Sequence, residues 1–305
     1  MRYAVVIIAL LASVTIAAGR QPQFKSGVDV VYLDVTVQAP DGSIVRGLVK
    51  DDFLIYDEEV PQVAAVFSAE PAPISVGVLI DTSGSMTGER MAAAIRAADA
   101  LGLSLQPGDQ WSVSTFDSTR RTMLTWRTYH PGIVNSLRAM PTSGSTELFK
   151  AVTDMVPYMK DTPHRKRAML LMTDGIDNSI ISASRDGYRD PFEAPGPLAS
   201  SAKAQAALRE GEVLLYALGI NVAGRAGAVH VPSLQRLAEP TGGSVIIAST
   251  VREVEDAARR VADELRQQYT LGFYPQTADG NTYHRLRVTT RHPDYRVRTR
   301  AGYLK

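Results

Sequence analysis

Val76-Gly-Val-Leu-Ile-Asp-Thr-Ser-Gly-Ser-Met86 decides the fold. A short apolar run, rich in β-branched residues, stops abruptly at Asp81. Such a run suits a strand covered on both faces, as in a parallel sheet, rather than one with a wet face. Beyond it, Asp81, Ser83 and Ser85 alternate along a tip that Gly84 leaves free to curl. Three oxygen-bearing side chains brought to one point are hard ligands, suited to a divalent cation such as Mg²⁺. The plainer alternative for the same residues is a strand followed by an N-capping turn.

Arg167 to Asp177 repeats the grammar, an apolar run that closes on Asp174. Between the two runs lies Ser143-Gly-Ser-Thr-Glu-Leu148, in which Gly144 and Thr146 precede a helical pattern. With these residues in place, the sequence resembles the von Willebrand factor type A domain, whose metal-ion-dependent adhesion site is written Asp-x-Ser-x-Ser, then Thr, then Asp. The resemblance assigns those positions to Asp81, Ser83, Ser85, Thr146 and Asp174. It implies that Ser83 and Ser85 ligate the ion directly, Thr146 directly or through water, and Asp81 and Asp174 mainly through bound water. It further implies an open position filled by a Glu or Asp carboxylate of a partner protein. Ser145 stands where many members of the family have Gly.

Strands alternate with helices on either side of these runs. The strands expected are Ser75 to Asp81, Trp111 to Phe116, Ala168 to Thr173, Val213 to Ile220 and Ser244 to Ala248, with Arg121 to Trp126 as an edge strand. Helices are expected over Glu89 to Leu105, Pro131 to Met140, Ser145 to Val156 (stopping before Pro157), Leu198 to Glu210 and Val251 to Arg266. The last is amphipathic, with Val251, Val254, Ala258, Val261 and Leu265 on one face. The fold expected is α/β, a Rossmann-like, doubly wound, mostly parallel sheet, with ligands at the carboxyl ends of its strands. Asn178 to Pro197, rich in Ser, Asp, Gly and Pro, reads as a long loop beside Asp174. Asp177 reads as the start of an Asx-type turn, Asp117 as similar, and Met86 as packing beside the site.

Both ends of the chain read as β. Val28 to Val37, Ser43 to Val45, Phe53 to Tyr56 and Val63 to Phe67 at one end match Tyr269 to Tyr274, Tyr283 to Thr290 and Tyr295 to Thr299 at the other. Neither set is large enough to bury a two-sided core alone, so one β-sandwich built from both ends is expected. Two separate flaps on the central sheet are the alternative. The division expected is 1–19 a secretory signal peptide, 20–70 and 267–305 the halves of the sandwich, and 71–266 the type A domain.

The signal peptide rests on Arg2, the apolar run Ala4 to Ala18 and the small residues Ala17 and Gly19. An uncleaved anchor is the competing reading, and only that reading brings a membrane. Export to the periplasm, the cell envelope or the medium follows. The chain has no cysteine, which excludes disulfides, thiolate metal sites and a lipoprotein anchor. A net charge of +1 over 305 residues gives no electrostatic case for nucleic acid. The basic run His164 to Arg167 reads as a solvated loop, and Arg296, Arg298 and Arg300 as the wet face of a strand.

Nothing in the sequence suggests catalysis. His130, His164, His230, His284 and His292 are scattered and read as surface or turn residues, and there is no Gly-x-Ser-x-Gly elbow or phosphate-binding Gly-rich loop. The expectation is a non-enzymatic, Mg²⁺-dependent (or Mn²⁺- or Ca²⁺-dependent) adhesion module that binds a protein. Its alternative is a structural or assembly subunit of the envelope with a vestigial metal site. A metal-dependent hydrolase is the poorest of the three.

Overall fold

The computed structural model describes residues 30–118, 120–222, 229–275 and 282–305. The segment read as a signal peptide lies outside the described residues. Among those described, no helix is long and apolar enough to cross a membrane.

The first strands are β1 (Val31–Gln38), β2 (Phe53–Asp57), β3 (Val60–Gln62) and β4 (Val66–Ser68). The central part then runs β5 (Ser75–Asp81), α1 (Glu89–Ser104), β6 (Gln110–Phe116), β7 (Arg120–Arg127), α2 (Gly132–Arg138), α3 (Leu148–Lys160) and β8 (Arg167–Thr173). It continues through α4 (Asn178–Arg185), α5 (Pro195–Gly211), β9 (Leu214–Ile220), α6 (Val231–Ala238), β10 (Val245–Ala248) and α7 (Val251–Arg266). The chain closes on β11 (Tyr269–Phe273), β12 (Tyr283–Thr290), β13 (Arg296–Arg298) and β14 (Gly302–Leu304).

The central sheet has six strands in the order β10-β9-β8-β5-β6-β7, parallel except for the edge strand β7. All seven residues of β5 are buried, as the continuous apolar run requires. Val76, Val78 and Ile80 face a layer made by α1, α2 and α7, while Leu79 faces α3, α5 and α6. α1 and α7 meet through small residues, Ala94, Ala97, Ala98, Ala257, Ala258 and Ala262. Their close approach lets both helices lie over one face.

Two four-stranded antiparallel sheets, β13-β1-β11-β4 and β14-β12-β2-β3, each mix strands from the two ends of the chain. They share one core, in which Leu33, Val35, Leu271 and Phe273 of one sheet meet Ile55, Val288 and Tyr303 of the other. The segment 43–45 makes only one isolated bridge, Gln38 to Ile44. The run Val63 to Phe67 is divided between the loop and β4, and β14 is an additional strand.

Several readings need correction. Asn178 to Pro197 is not a bare loop: it holds α4, whose Ile180 and Ala183 are buried, and the first turn of α5. Helix α6 was missed because its eight residues begin with Val-Pro. Helix α3 begins three residues later than expected and runs through Pro157 to Lys160. Proline there removes one main-chain donor in the last turns, and the burial of Met155, Val156 and Met159 outweighs it. The basic run is the expected loop before β8, with Arg165 exposed, but it is not solvated throughout. Arg165 forms a paired contact with Asp34 of β1 (2.8 and 3.2 Å) and lies over the Tyr32 ring. Lys166 is 3% exposed and donates to the Leu265 carbonyl at 3.2 Å, and burial pulls its ammonium below the usual lysine range.

Arg298 and Arg300 are likewise not on a wet face, since they bind Glu264 and Glu212 across the seam between the two bodies. Only Arg296 of the three is exposed. Strand alternation gave the correct side, but that side is covered by another element. His284 is no surface residue either. It is fully buried, 3.1 Å from Asp57, and stacked on Tyr303.

Gly243, just before β10, is a close-approach glycine. A β-carbon there would lie 1.8 Å from the Leu215 carbonyl oxygen of β9, a backbone atom that cannot turn away. Gly243→Ala is therefore expected to cost about 3 kcal/mol in urea unfolding. A cost below about 0.5 kcal/mol would show that β9 and β10 separate freely.

Candidate metal centre

Three loops at the carboxyl rim of the central sheet carry the five residues, and the structure brings all five together. The loop after β5 leaves Asp81, passes Ser83 in extended conformation and makes a short 3-10 turn over Gly84–Met86 before α1. Met86 is fully buried in the core beneath, as expected. The loop before α3 is stitched to it: Gly84 N–H donates to the Gly144 carbonyl (3.2 Å) and Ser143 N–H to the Thr82 carbonyl (2.9 Å). Gly144 has φ +79°, the left-handed turn that lets this second loop reach the first. The third loop follows β8, and Asn178 N–H ties it to the Thr146 carbonyl at 2.8 Å.

The polar side chains form a chain of contacts. The Asp81 carboxylate is buried, with Oδ1 accepting from Ser83 N–H (2.8 Å) and Oδ2 from the Thr173 hydroxyl (2.6 Å). Ser83 Oγ is 3.1 Å from Ser85 Oγ, and Ser85 Oγ donates to Asp174 Oδ1 at 2.8 Å. Thr146 reaches the group from the side, pressed against Gly175. A β-carbon at Gly175 would come within 3.0 Å of Thr146 Oγ1 and 3.5 Å of Asp81 Oδ2, so glycine is what lets both approach.

Among the described residues no cation pairs with Asp81. Burial pushes the Asp81 carboxyl up to about 6, against the hydrogen bonds from Thr173 and Ser83, and the nearby Asp174 adds to the rise. A buried carboxylate raised in this way favours either a proton or a cation.

The donor set is oxygen alone, two carboxylates and three hydroxyls, and among the described residues no group of three His, Cys, Asp or Glu could hold a metal instead. Because the Ser85 proton is committed to Asp174, Ser83 donates the 3.1 Å bond to Ser85, which leaves one lone pair on Ser85 Oγ and both on Ser83 Oγ for an ion. The residues present therefore fit a hard divalent cation.

Two neighbours have other roles. Asp177 accepts from Ser179 N–H (2.9 Å) and Phe149 N–H (3.0 Å), so it caps α4 and ties down the start of α3, which agrees with the turn reading. Asp117 anchors the second loop through its carbonyl, which accepts from Glu147 N–H at 3.1 Å.

Sequence reasoning missed Arg90. This residue of the first turn of α1 forms a salt bridge with Asp174 Oδ2, donates to the Ser85 carbonyl (3.0 Å) and, through Nε, to the Val222 carbonyl (3.2 Å). A signal was available. A cation at the amino end of a helix opposes the helix dipole, so a basic residue one turn after Ser85 needs a partner.

A cleft of about 1120 Å³, lined in part by β13, α7 and the 42–46 turn, includes none of the five residues. Of these, Asp81, Ser83, Thr146 and Asp174 are buried and Ser85 is exposed.

Residues 76–176 match the family model of the von Willebrand factor type A domain, and the matched span includes all five positions. A von Willebrand factor type A protein from Catenulispora acidiphila is similar in structure, with TM-score 0.52 and 12% identity over 92% of this chain and 75% of that one. At that identity the likeness is one of fold. The vWF domain of a type V pili tip protein from Porphyromonas gingivalis gives 0.49 and 15% over 65% and 97%. A proximal thread matrix protein from the mussel byssus, described with a zinc-occupied MIDAS motif, gives 0.45 and 14% over 68% and 48%. No curated protein matches the sequence.

Proposed function

We propose that this chain, which carries a von Willebrand factor type A domain over residues 76–176, is a non-enzymatic, exported protein-binding module that works through a bound divalent cation. Asp81, Ser83, Ser85, Thr146 and Asp174 hold the ion, Mg²⁺ or alternatively Mn²⁺ or Ca²⁺, and a Glu or Asp of a partner protein completes its coordination. The observation that carries this reading is the Ser83–Ser85–Asp174 hydrogen-bonded chain beside the buried Asp81, with Ser85 exposed at the carboxyl rim of the sheet.

The chemistry supports an adhesive rather than a hydrolytic use. Bound there, the ion supplies a Lewis-acidic position for an outside carboxylate. Ser83 and Ser85 offer neutral oxygens, so the ion keeps much of its charge for that carboxylate. Asp81 and Asp174, each held by its own hydrogen bonds, orient the shell.

Calorimetric titration of the chain with Mg²⁺ and Mn²⁺, beside Ser83→Ala/Ser85→Ala, tests the reading. One-to-one binding is expected, weakened more than about a hundredfold in a double variant of unchanged circular dichroism. Absence of binding in the intact chain, or equal binding in the variant, overturns it.

A further inference from the structure

Arg90 is bound into the candidate site yet has no place among its ligands. Its guanidinium is held at three points, Asp174 Oδ2, the Ser85 carbonyl and the Val222 carbonyl. Asp174 thus bridges two partners, taking the Ser85 hydroxyl on Oδ1 and Arg90 on Oδ2. The side chains of Arg90 and Asp174 are 13% and 1% exposed, so water screens the pair weakly. On the Oδ1 side Asp174 still faces the serine hydroxyls. Arg90 occupies the far side and leaves that approach open.

Two carboxylates and one guanidinium give the cluster a single negative charge when Asp81 is ionised. A divalent ion would turn it into a single positive one. Without Arg90 the loaded cluster would be neutral. We propose that Arg90 sets the charge of the loaded site: it weakens the hold on the cation and reserves a net positive charge for an incoming carboxylate. This rests on the cation-binding reading above. Arg90 acts through Asp174 and is a positioning residue, since nothing places it in contact with the ion.

The test is Mg²⁺ and Mn²⁺ calorimetry on the full chain, comparing wild type with Arg90→Gln and Arg90→Lys. Loss of a weakly screened positive charge this close is expected to tighten metal binding in the Gln variant by about tenfold or more. The Lys variant, which keeps the charge without the fork, is expected to stay within about threefold of wild type. An arginine that merely braced the loop would give the opposite result, weaker binding in the Gln variant. Unchanged or weaker binding by Arg90→Gln, with wild type binding, overturns the inference and leaves the cation site standing. No binding by any of the three overturns the cation site and the inference with it. If the Gln variant is unfolded in chelator, the Mg²⁺ concentration at which circular dichroism shows it folding replaces the calorimetric constant. Because folding then draws on binding energy, the midpoint is corrected for the unfolding equilibrium: a corrected constant below the wild-type dissociation constant supports the inference, and one at or above it overturns the inference.

Discussion

Asp81→Asn is expected to make the metal-free protein more stable at pH 7.5 while abolishing its response to Mg²⁺. The Asp81 carboxyl is held up to about 6, against 3.8 for an ordinary aspartate, chiefly by burial. The folded chain therefore keeps this proton more tightly than the unfolded chain. Folding gains from that group fully below about pH 4, and the gain is lost as pH rises through about 6. The difference corresponds to about 3 kcal/mol at neutral pH.

Asparagine cannot ionise, and its carbonyl oxygen still accepts from Ser83 N–H. Its amide can donate to Thr173 Oγ1, which already accepts from Gly175 N–H at 3.0 Å. Urea unfolding in chelator should show the variant ahead of wild type by about 1–3 kcal/mol at pH 7.5, with the gap closing toward pH 4. In saturating Mg²⁺ wild type should recover and the variant should not, because one of two carboxylates is gone. Equal stabilities of the two proteins at pH 7.5 in chelator would show that Asp81 carries no burial cost.

The parts of this site that were legible from sequence are those set by short-range rules. A parallel strand buried on both faces must read as an unbroken apolar run, so Val76 to Ile80 and Ala168 to Met172 mark two neighbouring strands, and the carboxylates closing them mark one rim. Those strand ends locate Asp81 and Asp174, while the full set of five, Thr146 included, came from the resemblance to the type A domain. Amphipathic spacing placed α7, expected from Val251 to about Arg266 and observed over Val251–Arg266.

What was not legible depends on what covers a face. Period-2 spacing put Arg298 on the outer side of its strand, and nothing local to the sequence says that Glu264 of α7 lies against that side. Arg165 and Lys166 face Asp34 and the Leu265 carbonyl across the same seam, at separations of about a hundred residues and more. His284 finds Asp57 across 227 residues. Helix α4 was hidden by composition, since Asn178-Ser-Ile-Ile-Ser-Ala-Ser-Arg185 favours turns until Asp177 caps it and Ile180 finds a core.

Glu264→Leu is expected to be the most damaging single change at the seam. Glu264 Oε1 accepts from three elements at once: Thr36 Oγ1 of β1 (3.2 Å), the Tyr216 hydroxyl of β9, and Arg298 of β13. It thereby ties the last turn of α7 to the central sheet on one side and to the sandwich on the other. Burial pushes the Tyr216 hydroxyl well above its usual range, with the Glu264 charge adding to it, so Tyr216 stays protonated and donates to Glu264.

Leucine would leave the Arg298 guanidinium, 10% exposed, with no counter-charge, and the Tyr216 hydroxyl without an acceptor. Breaking one side of a buried pair costs about 3–5 kcal/mol. Glu264→Gln keeps an acceptor oxygen and loses only the charge, so about 1.5–3 kcal/mol is expected for it. Glu264→Leu/Arg298→Met should recover most of the loss, because neither charge then remains buried. Urea unfolding of the four proteins gives the coupling directly. A Leu variant within about 1 kcal/mol of wild type would mean that the guanidinium reaches water when its partner is removed. Seam strain then has a second readout. Arg165–Asp34 and Arg300–Glu212 still cross the seam, so a Leu variant that loses single-transition unfolding and melts in two steps would show that Glu264 is the contact coupling the two bodies.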